Sequence, residues 1–75
     1  MPTLFHQGNL KICMYSDDHN PPHFHVITPD ERGSLSIDRL EVLAGEISNQ
    51  TFKKASYWAS ENKAMLIEKW EKLNG

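Results

Sequence analysis

The first part of the chain alternates apolar and polar positions, a pattern typical of β-strands with one buried face. Between residues 10 and 15 every second side chain is apolar: Leu10, Ile12 and Met14. Gly8-Asn9, the Pro21-Pro22 pair and a polar turn at 29–33 separate such runs. The pattern therefore predicts strands over about 3–6, 10–16, 23–28, 33–38 and 41–44.

From residue 48 onward the apolar period changes from that of a strand to that of a helix. One narrow stripe at ~100° per residue collects Phe52, Ala55, Ala59, Leu66, Trp70 and Leu73. Ser48 or Asn49 is the predicted N-cap. A single helix of about 26 residues would be ~39 Å long, more than the ~25–30 Å expected across so small a domain. We therefore expect a break near Ser60-Glu61-Asn62 and helices over about 48–61 and 62–73.

These elements indicate an α+β fold with one domain over residues 1–75. A four- or five-stranded antiparallel sheet is followed by two C-terminal helices, or one kinked helix, packed on one of its faces. The expected core aromatics are Phe5, Phe24, Phe52, Trp58 and Trp70.

Composition and charge narrow the cellular setting. The net charge of −2 disfavours direct nucleic-acid binding, for which a basic patch is usual. Cys13 is the single cysteine, so an internal disulfide is excluded and a reducing compartment is favoured. No signal-peptide pattern and no apolar stretch of membrane-spanning length is seen. We expect a cytoplasmic protein without a membrane segment.

The candidate chemistry concentrates in residues 17–25, which hold three of the four histidines. His23 and His25 are two apart on a predicted strand, so their side chains should leave the same face, with Phe24 on the other. We expect Phe24 in the core and both imidazoles in solvent or a cleft. Asp18 and His19 precede them in a turn and could fold back onto the pair, while Pro21-Pro22 stiffens the approach.

Three readings of this stretch stay open. His19, His23 and His25, with Asp18 as a carboxylate ligand, could bind a divalent transition metal such as Zn or Ni, although the ligand set is incomplete. The same histidines could perform acid–base catalysis oriented by Asp18, but no nucleophile is tied to them by spacing. They could also be structural, closing a sheet edge with hydrogen bonds.

His6 lies on the first predicted strand, apart from the other three histidines. It could join their face only if that strand neighbours the third, which the alternation pattern does not decide.

The stretch Asp18-His19-Asn20-Pro21-Pro22-His23-Phe24-His25-Val26 resembles the hallmark of the domain-of-unknown-function 4160 family. Trp58-Ala59 and Trp70 resemble the aromatic steps of that family's helical end. Residues 43–48 resemble its Leu-x-Gly-x-Leu-Pro pattern, with Ile47-Ser48 in place of Leu-Pro. The motif residues that carry over are Asp18, His19, Pro21, Pro22, His23 and His25.

This resemblance implies a bacterial, cytosolic origin. It also implies a functional link to a small protein of the domain-of-unknown-function 2442 family, often encoded beside it, in a pairing that looks like a toxin–antitoxin or regulatory module.

We therefore expect a small binding module whose ligand or partner site is the His/Asp/Pro stretch. One alternative is a metal- or His-dependent hydrolase, such as a ribonuclease-type toxin. Another is a structural homodimer through the C-terminal helices with no small-molecule site, in which Trp70 would be buried only at the subunit contact.

Overall fold

The computed structural model describes residues 3–15 and 21–74, which form a five-stranded sheet followed by two helices. The strands are β1 (Thr3–Gln7), β2 (Leu10–Cys13), β3 (His23–Ile27), β4 (Arg32–Ser36) and β5 (Val42–Glu46). The helices are α1 (Asn49–Glu61) and α2 (Lys63–Asn74). All neighbouring strands are antiparallel, in the order β1-β2-β3-β4-β5. The predicted α+β class, sheet and pair of C-terminal helices are confirmed.

Several strand ends differ from the sequence prediction. β2 ends at Cys13 although apolar alternation continues through Met14, and Ser16 lies outside the described residues. β4 begins one residue early, at Arg32, and ends at Ser36, where a turn starts. β5 continues two residues beyond Ala44, because Gly45 and Glu46 still pair with Gly33 and Arg32 of β4.

The sheet has two chemically different faces. On one, which we call the core face, Ile12, Phe24, Val26 and Leu35 pack with α1 and α2 through Ala55, Ala59 and Leu66. Phe24 is fully buried there, as predicted, and so is Val26. The other, which we call the histidine face, carries cross-strand rows because opposite residues of an antiparallel pair point to the same side. One row is Cys13, His25, Ser34 and Ala44.

Glu31, in the β3–β4 connection, ties the sheet to the start of α1. Its carboxylate accepts hydrogen bonds from the backbone N–H of Ser48 and from the hydroxyl of Thr51, at 2.7 Å for the latter. Ser48 is the N-cap, and its Oγ accepts from the N–H of Thr51 at 3.2 Å. These bonds hold the pKa of Glu31 below its ordinary value of 4.5, chiefly through the Thr51 hydroxyl and then the Ser48 amide.

The helical region is divided at Asn62, as predicted. Asn62 leaves the helical conformation with φ −127° and ψ 24°, and its side-chain Nδ2 donates to the carbonyl of Trp58 at 2.8 Å. The division lets both segments follow the sheet: Trp58 of α1 stacks on Phe5 at 4.9 Å between ring centroids, and Leu66 and Trp70 of α2 are buried. Neither helix is long and apolar enough to cross a membrane.

Candidate functional site

His23 begins β3 and is held from both sides. Its Nδ1–H donates to the carbonyl oxygen of Pro21 at 2.7 Å, which fixes the ring orientation and, in a neutral imidazole, leaves the lone pair on Nε2. Its ring centroid is 5.2 Å from that of Trp70 in α2. The Pro21 carbonyl therefore contacts the His23 ring directly, while the rigidity expected of Pro21-Pro22 stays a prediction. The residue is only 7% exposed.

His25 lies beside His23 on the same face, and their ring centroids are 5.1 Å apart. The ring of Tyr15 packs on His25 at 4.4 Å, and the Tyr15 hydroxyl accepts a hydrogen bond from the Cys13 thiol at 3.6 Å. Cys13 is fully buried, which suits a packed strand residue better than a nucleophile.

Four rings thus form a continuous line at one end of the sheet, which we call the ring row: Trp70, His23, His25 and Tyr15. Asn74 reinforces it by donating from Nδ2 to the Tyr15 carbonyl at 3.2 Å. The ring row corrects the expectation that both imidazoles are open to solvent or a cleft, because α2 covers His23 and only His25 is partly exposed. It also corrects the idea that Trp70 would be buried only at a subunit contact.

A shallow cleft of about 240 Å³ lies on the histidine face next to the ring row. Tyr15, His25 and Arg32 border it. Its remaining lining is small or apolar: Ile27, Gly33, Ser34, Ala44 and Gly45. Gly45 has φ +79°, and a Cβ there would collide with the Arg32 carbonyl, so this part of the lining has to remain without a side chain.

The structure brings together only part of the predicted site. Pro21, His23 and His25 are adjacent, and Pro22 leads directly into β3. Asp18 and His19 lie outside the described residues. His6 is on β1, which β2 separates from β3, so it does not share the ring row. Within residues 3–15 and 21–74, no group of three or more His, Cys, Asp or Glu side chains is arranged to hold a metal ion.

Comparison with known protein families identifies the family of this chain. The family described as "Domain of unknown function (DUF4160)" matches residues 9–71. The chain belongs to this family. The range matched in DUF4160 includes β2 to β5, α1 and most of α2, and therefore the whole ring row and every residue that lines the cleft. No curated protein and no solved structure matches the chain.

Sequence reasoning missed the DUF4160 cleft residues outside the histidine motif, chiefly Tyr15, Arg32 and Ser34. The apolar alternation predicts Tyr15 within the strand over 10–16 and Arg32 within the polar turn at 29–33. Alternation around Leu35 does place Ser34 on the face opposite the core. The pairing of Ser34 with His25, however, depends on the register between β3 and β4, which a single sequence does not fix.

Proposed function

We propose that this DUF4160 chain is a small binding module, and that its site is the histidine face around His25, Tyr15 and the adjoining cleft. The ring row carries the proposal, because Pro21 and Trp70 hold His23 from two sides and His23 in turn supports His25. Side chains held by packing and hydrogen bonds lose little conformational freedom when a partner binds. Such preorganisation is typical of recognition sites.

A binding role fits this geometry better than the hydrolase or ribonuclease alternative. The only thiol is buried against Tyr15, and the cleft of about 240 Å³ is below the ~300–1,000 Å³ usual for small-molecule sites. A shallow opening of this size suits one side chain of a larger partner. The net charge of −2 also favours a protein over free nucleic acid.

The partner we propose is a small protein of the domain-of-unknown-function 2442 family, acting with this chain in the bacterial cytoplasm as a toxin–antitoxin-like or regulatory pair. The His-Asn-Pro-Pro-His-Phe-His motif and family membership support it. The motif residues proposed for the interface are Asp18, His19, Pro21, Pro22, His23 and His25, with Tyr15 added by the structure.

Calorimetric titration of the chain with the purified protein of that family tests both the partner and the site. We expect His25→Ala to raise the dissociation constant by about tenfold or more, since it removes a side chain at the centre of the site. Tyr57→Ala is the matched control: Tyr57 is 70% exposed on α1, and its loss should change the constant by less than about twofold. Equal affinities of His25→Ala and the parent protein would exclude His25 from the binding site. A parent protein that does not bind at all would exclude the proposed partner.

The same imidazole pair supports a second candidate, a transition-metal site for Zn or Ni. A histidine that donates Nδ1–H to a backbone carbonyl, as His23 does to Pro21, is a common arrangement among metal ligands. The 5.1 Å separation of the His23 and His25 rings lets both approach one ion. Asp18 and His19 would supply the remaining ligands.

Titrating Zn²⁺ and Ni²⁺, with Mn²⁺ as the harder comparison ion, while recording histidine ring resonances tests this candidate. Imidazole ligands prefer Zn and Ni over Mn, so the His23 and His25 rings should shift with the first two ions. Rings that stay unmoved would dispose of the metal site without affecting the partner-binding proposal.

A further inference from the structure

The cleft beside the ring row combines one permanent cation with several hydrogen-bond donors. Arg32 supplies a guanidinium, and His25, Tyr15 and Ser34 supply an imidazole, a phenol and a hydroxyl. Among the residues that the structure describes, no Asp or Glu lines this cleft. A guanidinium beside neutral hydrogen-bond donors is complementary to an anion.

The strand register places these groups close together. His25 pairs with Ser34, and Ile27 pairs with Arg32, so Arg32 is the diagonal neighbour of His25 on the same face. Diagonal neighbours in an antiparallel pair lie about 7–8 Å apart, within the reach of long side chains. The side chains of Ser34 and Ala44 are small and leave the space between Arg32 and His25 unfilled.

Arg32 forms no ion pair with the other residues that the structure describes. The ion pairs within the described part of the chain are Lys63–Asp38 and Lys72–Glu68, and Arg32 takes part in neither. Glu46 pairs with Arg32 across the strands but does not line this cleft. Asp30, Glu31 and Glu46 line a neighbouring cavity that Arg32 also borders, so Arg32 lies between an acidic surface and this cleft.

We infer that Arg32 and His25 bind a carboxylate group of a partner protein in this cleft. The inference rests on the proposed binding function and specifies the chemistry that the site recognises. The volume suits an Asp or Glu side chain rather than a whole metabolite. Ile27 and Ala44, which line the cleft, provide apolar contact for the protein that carries it.

The test uses amino-acid probes and no partner, so its failure is separate from failure of the proposed function. N-acetyl-glutamate amide and N-acetyl-glutamine amide differ only in carboxylate against carboxamide. We expect the glutamate probe alone to shift the Arg32 Nε–H and His25 ring resonances, with a dissociation constant in the millimolar range, as suits one charge-assisted contact. Equal shifts from the two probes would overturn the inference.

Charge variants locate the site. Arg32→Gln should raise the dissociation constant of the glutamate probe about fivefold or more, since a charge-assisted hydrogen bond is lost. The matched control is Arg39→Gln, which removes the same charge from the exposed turn at the other end of β4 and should change it by less than about twofold. Glu46→Gln should tighten binding by removing the competing acid. Similar effects of Arg32→Gln and Arg39→Gln would overturn the assignment.

Two further probes identify the source of the anion. Benzoate represents a free small-molecule carboxylate, and inorganic phosphate represents a different anion. Tighter binding of the glutamate probe than of either supports a carboxylate from a protein side chain. Binding of benzoate or phosphate about tenfold or more tighter than that of the glutamate probe would overturn that source.

Discussion

At the scale of the residue, His23 joins the backbone of the proline turn to the buried aromatic cluster. Its Nδ1–H bond to Pro21 and its 7% exposure mean that removing the ring leaves a carbonyl without its donor and a void against Trp70. We expect His23→Ala to lower the free energy of unfolding by about 1–3 kcal/mol. His23→Asn should lose less, since its amide nitrogen lies where Nδ1 was.

Urea unfolding of both variants and of His23→Gln measures this difference. Gln carries its amide one carbon farther out, near the Nε2 position, and cannot reach Pro21 in the same way. The expected order of stability is parent, then Asn, then Gln and Ala. Asn and Gln variants of equal stability would mean that the Pro21 bond contributes nothing measurable.

The directions of these side chains could be predicted from sequence, but their burial could not. The two-residue spacing correctly placed His23 and His25 on one face and Phe24 on the other, because strand geometry alone decides this. The cover over His23 comes from Trp70, which is remote in sequence and reaches it only after α2 has packed. The role of Arg32 could not be predicted for a similar reason. Arg32 comes close to His25 only through the pairing of β3 with β4 across a turn.

At the scale of the element, Glu31 links the β3–β4 turn to the N-terminus of α1. Its folded-state pKa lies below the ordinary value of 4.5, so the carboxylate form stabilises the fold. This stabilisation is complete above about pH 4.5 and is lost as the pH falls through the lowered pKa. We expect Glu31→Gln to reduce the melting temperature at neutral pH, and the difference from the parent to shrink toward about pH 3.

Thermal melts of parent and variant between about pH 3 and pH 7 test this sign. Glu41→Gln is the control, because Glu41 is exposed and its carboxylate accepts no hydrogen bond from the described residues. A Glu31→Gln effect that grows as the pH falls would contradict the assigned role.

Local sequence signals were sufficient to predict the boundaries of the two helices, but they predicted the ends of the strands less well. Ser48, one of the two predicted N-caps, begins α1, and the division falls at Asn62, within the predicted break, since capping and low helix propensity are properties of a few adjacent residues. The ends of β2, β4 and β5 depend on partners in neighbouring strands. Glu46, for example, belongs to β5 because it pairs with Arg32, and nothing in its own sequence neighbourhood requires a strand there.

At the scale of the whole molecule, the C-terminal helix contributes to both the core and the site. Trp70 belongs to the main apolar cluster and also contacts His23. A chain of this size has a total stability of about 4–11 kcal/mol, and burying a large aromatic side chain contributes about 3–5 kcal/mol of it. Loss of Trp70 should therefore remove a large share of the stability and disturb the site together.

We expect Trp70→Ala to lower the free energy of unfolding by about 3–5 kcal/mol. Trp70→Phe should cost less, because it keeps an aromatic ring in the cluster, and should leave enough folded protein for study of the site. In that variant the His23 ring resonances should move, since the indole ring current is gone, and affinity for the partner should fall.

Tyr57→Ala, on the exposed side of α1, should change stability by less than about 0.5 kcal/mol. Urea unfolding and histidine ring spectra of the three variants test whether Trp70 couples the core to the site. Unchanged His23 resonances and affinity in Trp70→Phe would mean that the core and the site are independent.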